Sequence, residues 1–201
     1  MRHTVSCSSG VLAVAAMALL MWPGTSQAQL GGVLPGTTTV LADTGTLAAG
    51  TSDALQASQL VGSVPSLLAG EVLHAVTISY PDETDSEASL AALSLNVAGT
   101  AIGADSVMAQ ALAGAGGVVG TSDISNLTID GVPIAVTGDP NQTIGMPGGM
   151  LVINERQVSL DGTTVVNALH AIVSGVADVM IGSATAGPSG GEAKAVQATT
   201  F

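Results

Sequence analysis

The chain has 201 residues, of which only three are Lys or Arg against fifteen Asp or Glu, and 1% are aromatic. So acidic a surface repels nucleic acid and anionic lipid. So few rings leave none of the stacking platforms on which carbohydrate and single-stranded nucleic-acid sites are usually built.

The first stretch, MRHTVSCSSGVLAVAAMALLMWPGTSQAQL, has a basic start (Arg2, His3), a short apolar run from Val11 to Trp22, the breakers Pro23 and Gly24, and small residues at Ser26 and Ala28. This pattern predicts a secretory signal peptide over residues 1–28, cleaved between Ala28 and Gln29. The run falls short of the ~20 apolar residues that span a bilayer, and no later segment predicts a transmembrane helix. Cys7, the only cysteine, precedes the run and leaves with the leader, so it is not a lipid-attachment site. The expected mature chain of 173 residues keeps only Arg156 and Lys194 against fifteen acidic groups, a net charge of −13. Export without disulfides suits a bacterial protein.

After the leader, short apolar segments alternate with period two between Gly, Thr, Ser and Asn. Strands are predicted at Thr37 to Leu41, Ser106 to Leu112, Ile124 to Ile129, Val132 to Val136, Met150 to Leu160, Thr164 to Val173 and Val179 to Ala186. In EVLHAVTISY, Val72, Val76, Ile78 and Tyr80 share one face, with Thr77 and Ser79 opposite; in SLAALSLNV, Ala91, Leu93, Leu95 and Val97 align. SDALQASQLVG after Ser52 reads as a turn or short helix, and AGAGGVVGTS after Leu112 as a flexible link. The fold expected is all-β, an antiparallel β-sandwich or partly open barrel of about 8–10 short strands. It occupies residues 29–187, and residues 188–201 form a flexible polar tail.

Two hairpins can be set in register. Closing a two-residue turn at Asp130-Gly131 puts Ile129 opposite Val132 and Leu127 opposite Ile134, with Pro133 marking an edge. Closing the second at Asp161-Gly162 puts Val158 opposite Val165 and Ile153 opposite His170, which places Glu155 diagonal to His170 and within side-chain reach. Asn154, Glu155, Asn167 and His170 then form a polar network that locks strand register. A carboxylate on an imidazole is also part of a hydrolytic triad, but no G-x-S-x-G elbow supplies a nucleophile. His74 is the only other histidine after the leader, and no close-spaced ligand pair makes zinc or copper an expectation. Asp82, Glu83, Asp85 and Glu87 in YPDETDSEAS are candidate calcium ligands, although the spacing is not that of an EF-hand, and a solvated acidic turn is the plainer reading.

NERQV followed by TTVVNALHAIVSGVADVMIGSATAG resembles the closing segment of the choice-of-anchor P family of exported bacterial proteins, and DISNLTIDGVPIAVTGDPNQTI is similar to the segment before it. The resemblance runs from Leu41 to Gly187, and its most specific piece is Asn154-Glu155 followed by VNALH from Val166 to His170. It implies an extracellular β-rich domain joined to varied surface-attachment signals and carries no catalytic residue. The function expected is an exported, secreted or cell-surface, non-catalytic structural or interaction module without a cofactor. The alternatives are a calcium-dependent adhesive module, a fibre subunit that self-associates through edge strands, with Gly31 to Asp43 as the strand to watch, and, last, a Glu–His hydrolase.

Overall fold

The computed structural model describes residues 36–201, so the expected leader and its cleavage site lie outside the described residues. In chain order the strands are β1 (Thr37–Asp43), β2 (Leu47–Ala48), β3 (Asp53–Val64), β4 (Leu68–Ser79), β5 (Glu83–Val97), β6 (Thr100–Gly114), β7 (Gly117–Ser125), β8 (Thr128–Ile129), β9 (Val132–Pro133), β10 (Gln142–Met146), β11 (Gly149–Val158), β12 (Thr164–Val173), β13 (Ala177–Gly187) and β14 (Gly190–Thr200). They make two antiparallel sheets. The first has the order β1-β14-β13-β12-β11-β10 with β2 beside β14, and the second β3-β4-β5-β6-β8-β9 with β7 beside β6. Their inner faces share one core, so the architecture is sandwich-like.

The strands are more numerous and longer than expected, fourteen among the described residues, with β5 and β6 of 15 residues each. The predicted flexible tail is β14, hydrogen-bonded on one side to β13 and on the other to β1. Its inward residues Ala193, Ala195, Val196 and Ala198 are small, which is why the segment reads as polar although every one is buried. SDALQASQLVG is strand and not helix. It pairs with β4 along its whole length, so tertiary pairing overrides the helix propensity of Ala, Leu and Gln. AGAGGVVGTS is a β6–β7 hairpin and not a flexible link, with only Ala115-Gly116 in the turn, and β1 lies within its own sheet.

The Asp130-Gly131 hairpin closes as predicted, with Ile129 opposite Val132, and β9 with Pro133 ends the sheet. The Asp161-Gly162 hairpin is one residue out. Gly162 N–H bonds the Ser159 carbonyl and Ser159 N–H the Thr163 carbonyl, so the loop has three residues, with Gly162 at φ +87 in the left-handed position. Val158 therefore faces Thr164, Ile153 faces Leu169, Glu155 faces Asn167 and Val152 faces His170.

Period two does not persist along any long strand, because each sheet carries a crease. In the first sheet one cross-strand row runs Ala42, Ala195, Gly182, Ala168, Asn154. All of its pairings are missing from the ladder, and Ala42, Gly182 and Asn154 have positive φ. Across that row two successive residues turn inward on each strand, such as Ala168 with Leu169 and Ile153 with Asn154. In the second sheet the corresponding positions are Leu60 and Val72 on β3 and β4, and Ala92, Asp105 and Asn126 from β5 to the end of β7; a bulge that sets Glu71 opposite Ala91 offsets the two parts, and φ is positive at Val72, Ala92 and Asn126. There the doublets turn outward, such as Leu60-Val61 and Glu71-Val72.

The creases also divide the core. On one side the interior is aliphatic, with Leu95, Ile102, Leu151, Ile153, Leu169 and Ile181 fully buried. On the other side, beyond Leu73, Leu90, Val107 and Val166, it narrows to Ala75, Ala88, Ala109, Ala184, Ala193 and hydroxyl residues. A Cβ on Gly182 would come 3.3 Å from the Ala88 carbonyl oxygen. This narrow half explains why β4 presents the face opposite to the predicted one. Thr77 and Ser79 are buried while Val72 is exposed. Thr77 Oγ1 lies 3.1 Å from Thr44 Oγ1 and accepts a bond from Ser86 Oγ, and Ser79 Oγ accepts from Thr51 N–H. Small side chains with satisfied hydroxyls fit where branched aliphatics would overfill the space.

Candidate functional site

The crease of the first sheet assembles the polar cluster on its outer face. Asn167 and His170 are three residues apart and would point to opposite faces of a regular strand. The inward doublet Ala168-Leu169 between them returns both to the outer face, and the doublet Ile153-Asn154 does the same for Val152 and Glu155. Val166 and Ala168, which strict alternation would set on the face of His170, are instead in the core.

His170 bridges two carboxylates. Its Nδ1 lies 2.8 Å from Glu155 Oε2 on β11, and its Nε2 lies 2.8 Å from Asp178 Oδ1 on β13. Only an imidazolium carries an N–H for each of these contacts. Glu155 Oε2 also accepts Asn167 Nδ2 at 2.6 Å, and Oε1 accepts Gln157 Nε2 at 3.0 Å. Burial raises the Glu155 pKa, but the Asn167 bond, the charge of His170 and the Gln157 bond outweigh it and hold the carboxyl below its ordinary value. The cluster thus ties together three neighbouring strands. The His170 and Glu155 side chains are 11% and 14% exposed, whereas Asp178 is 41% exposed.

Asn154 does not join this cluster. Its Nδ2 donates to the Gly138 carbonyl at 3.0 Å, and its Oδ1 accepts from Arg156 Nε at 3.3 Å. Asn141 completes that second set, its Oδ1 accepting from Arg156 N–H, so the loop before β10 is pinned to β11. Asp178 was missed in the sequence. Asp178 was open to detection, because the β12–β13 turn places it opposite Ile172 and hence diagonal to His170.

The acidic candidates do not converge. Only Asp82 lies in the turn, which Tyr80 N–H closes onto the Glu83 carbonyl. Glu83, Asp85 and Glu87 follow on β5 at alternate positions, with Thr84 and Ser86 buried between them. Alternate residues on a strand stand roughly 7 Å apart, too far for three to wrap one cation. Asp85 already accepts Gln110 Nε2 at 3.1 Å. His74 is on the outer face of the other sheet, bonded to Ser58 Oγ at 2.9 Å, and shares no site with His170. Among the described residues no three His, Cys, Asp or Glu side chains are grouped to hold a metal, and no helix is long and apolar enough to cross a membrane. A cleft of about 330 Å³, lined by Pro81, Asp82, Glu83, Gly114, Gly117 and Pro188 among others, includes no member of the His170 cluster.

No family model, curated protein or solved structure matches the chain.

Proposed function

We propose that the chain is an exported, non-catalytic structural or interaction module, secreted or held at a cell surface. The observation that carries this reading is the use of both ring nitrogens of His170. A histidine acting as general base in a hydrolytic triad gives one nitrogen to a carboxylate and keeps the other for the nucleophile's proton. His170 gives both to carboxylates on neighbouring strands, which makes it a clamp across a sheet. The leader pattern of residues 1–28 supports export, and the resemblance of Asn154-Glu155 and Val166 to His170 to the choice-of-anchor P proteins points the same way.

Two measurements test it together. Expressed with its leader in a bacterial host, the protein should be recovered outside the cytoplasm with a mass that begins at Gln29. The purified protein should turn over p-nitrophenyl esters no faster than its His170→Ala variant. Retention of the whole leader in the cytoplasm refutes the export half. An esterase rate above background that is lost in a folded His170→Ala protein refutes the non-catalytic half.

A further inference from the structure

We propose that the partner of this module is a second copy of itself, joined edge to edge through β3 about a two-fold axis between Leu60 and Val61. The inference rests on the module reading above and names the surface that it would use.

Among the described residues β3 pairs only with β4, so the backbone groups of its other side face outward as a sheet edge. Exposed edges are normally blunted by brevity, proline or charge. The other edges here are shorter or carry a charge within them: β9 has two residues including Pro133, β10 has five, β1 has seven, and β7 carries Asp123 within its nine. β3 has 12 residues, and from Ala54 to Gly70 the chain bears no charge, although the protein as a whole carries −12. The nearest carboxylates, Asp53 and Glu71, flank that neutral stretch.

The crease makes this edge self-complementary. An antiparallel partner must present matching faces, and a regular strand does so in many registers. In β3 the face pattern reverses at the outward doublet Leu60-Val61. Cross-strand partners on β4 share a face with their β3 residues, so Gln59, although exposed at the edge, and Ala57 share the inner face of Leu73 and Ala75, while Ser58 lies outward with His74. Beyond the doublet Gly62 and Val64 lie inward with Gly70 and Leu68, and Ser63 lies outward with Ala69. Faces therefore match on both sides of the crease when Leu60 opposes Val61 of the second copy. That register also pairs Ser58 with Ser63, Gln59 with Gly62 and Ala57 with Val64. Like meets like at three of these four pairs. It covers Leu60 and Val61, which are 79% and 68% exposed, and brings Val72, 57% exposed, to the margin of the joint. An isologous contact of this kind closes as a dimer and does not propagate into a fibre.

The test uses the purified protein at rising concentration and a pair of cysteine variants. Light scattering should show a monomer–dimer equilibrium that Val61→Lys shifts to monomer, with an unchanged melting curve at dilutions where both proteins are monomeric, because the side chain is exposed. In a Cys7→Ser background, a mixture of Ser58→Cys and Ser63→Cys chains should form the mixed disulfide at least about 10-fold faster than either chain forms its own. Opposed Cα atoms lie about 4.5–5.5 Å apart, within disulfide reach, whereas like positions stand five residues, or roughly 17 Å, apart. A monomer at every concentration overturns the proposal, and so does a dimer that survives Val61→Lys or gives no preference for the mixed disulfide. Those failures leave the module reading standing, since export and esterase activity judge it separately.

Discussion

Removing the His170 imidazole should cost the fold about 2–3 kcal/mol. The contact with Glu155 joins two shielded side chains, 11% and 14% exposed, and a charge-assisted bond of that kind contributes about 1.5–3 kcal/mol. The contact with Asp178 ends on a carboxylate that is 41% exposed, where solvent reduces the gain to about 0–1 kcal/mol. Urea unfolding of His170→Ala followed by far-ultraviolet circular dichroism should give that loss with an unchanged slope, and a melting point lower by roughly 5–10 °C. The two carboxylates should not be equivalent: Asp178→Asn should cost under about 1 kcal/mol and Glu155→Gln more. In a double-mutant cycle, His170→Ala and Glu155→Gln should couple by about 1 kcal/mol or more. The clamp is refuted if His170→Ala lies within about 0.5 kcal/mol of the parent, or if Asp178→Asn proves as costly as Glu155→Gln.

Acid should act through the same cluster. Glu155 is held below the ordinary value of 4.5 in the folded chain, so the unfolded chain binds its proton first. Its contribution is therefore complete above about pH 4.5 and is lost as pH falls through the lower folded value. Stability measured from pH 6 downward should fall less steeply in Glu155→Gln than in the parent; parallel curves would contradict the assignment. Gly182→Ala should destabilise by about 1–2 kcal/mol, because φ there is +59 and the new Cβ would press on the Ala88 carbonyl oxygen. A neutral result in urea would mean that the crease tolerates relaxation. Deleting residues 188–201 removes β14 from between β1 and β13 and should leave no cooperative unfolding transition; a truncated chain that still melts cooperatively would show β14 to be dispensable. Millimolar calcium should shift the melting point by less than about 2 °C, since Glu83, Asp85 and Glu87 stand in a row along β5. A larger, chelator-reversible shift would require the row to fold onto one ion.

The all-β class and the positions of β11 to β13 are legible in the sequence because the turn residues there are strong and the strands contain Val, Ile and Leu. β14 and β3 are not legible, for two different reasons. β14 fills its inward positions in both halves of the core mostly with Ala, where neighbouring strands use Leu, Ile and Val, so a central strand reads as a tail. β3 consists of helix formers whose strand conformation comes only from pairing with β4. The Glu155–His170 contact is present although the register deduced for it is one residue out. That register placed the two side chains diagonally on one face. The true register alone would separate Asn167 from His170, and the crease brings them together again.

The creases are the features with most consequence and the least visible signal. Their trace in the sequence is a slip of period: Leu90 to Leu93 where period two demands an even step, and the apolar doublet Ala168-Leu169 within VNALH. Read singly, each slip resembles a weak strand. Only the run of Ala42, Gly182 and Asn154 along one row, and of Ala92 and Asn126 along another with Val72 beside the β4–β5 bulge, shows that neighbouring strands slip together. A positive φ costs a residue such as Ala or Val about 1–2 kcal/mol and Asn less, and three of these six residues, Ala42, Val72 and Ala92, bear that cost. Two properties depend on the creases. In the first sheet the crease turns a pair of side chains three apart onto one face and so builds the His170 clamp. In the second it gives β3 a pattern that reads the same from either end of Leu60-Val61, which is the condition an edge must meet to pair with its own copy.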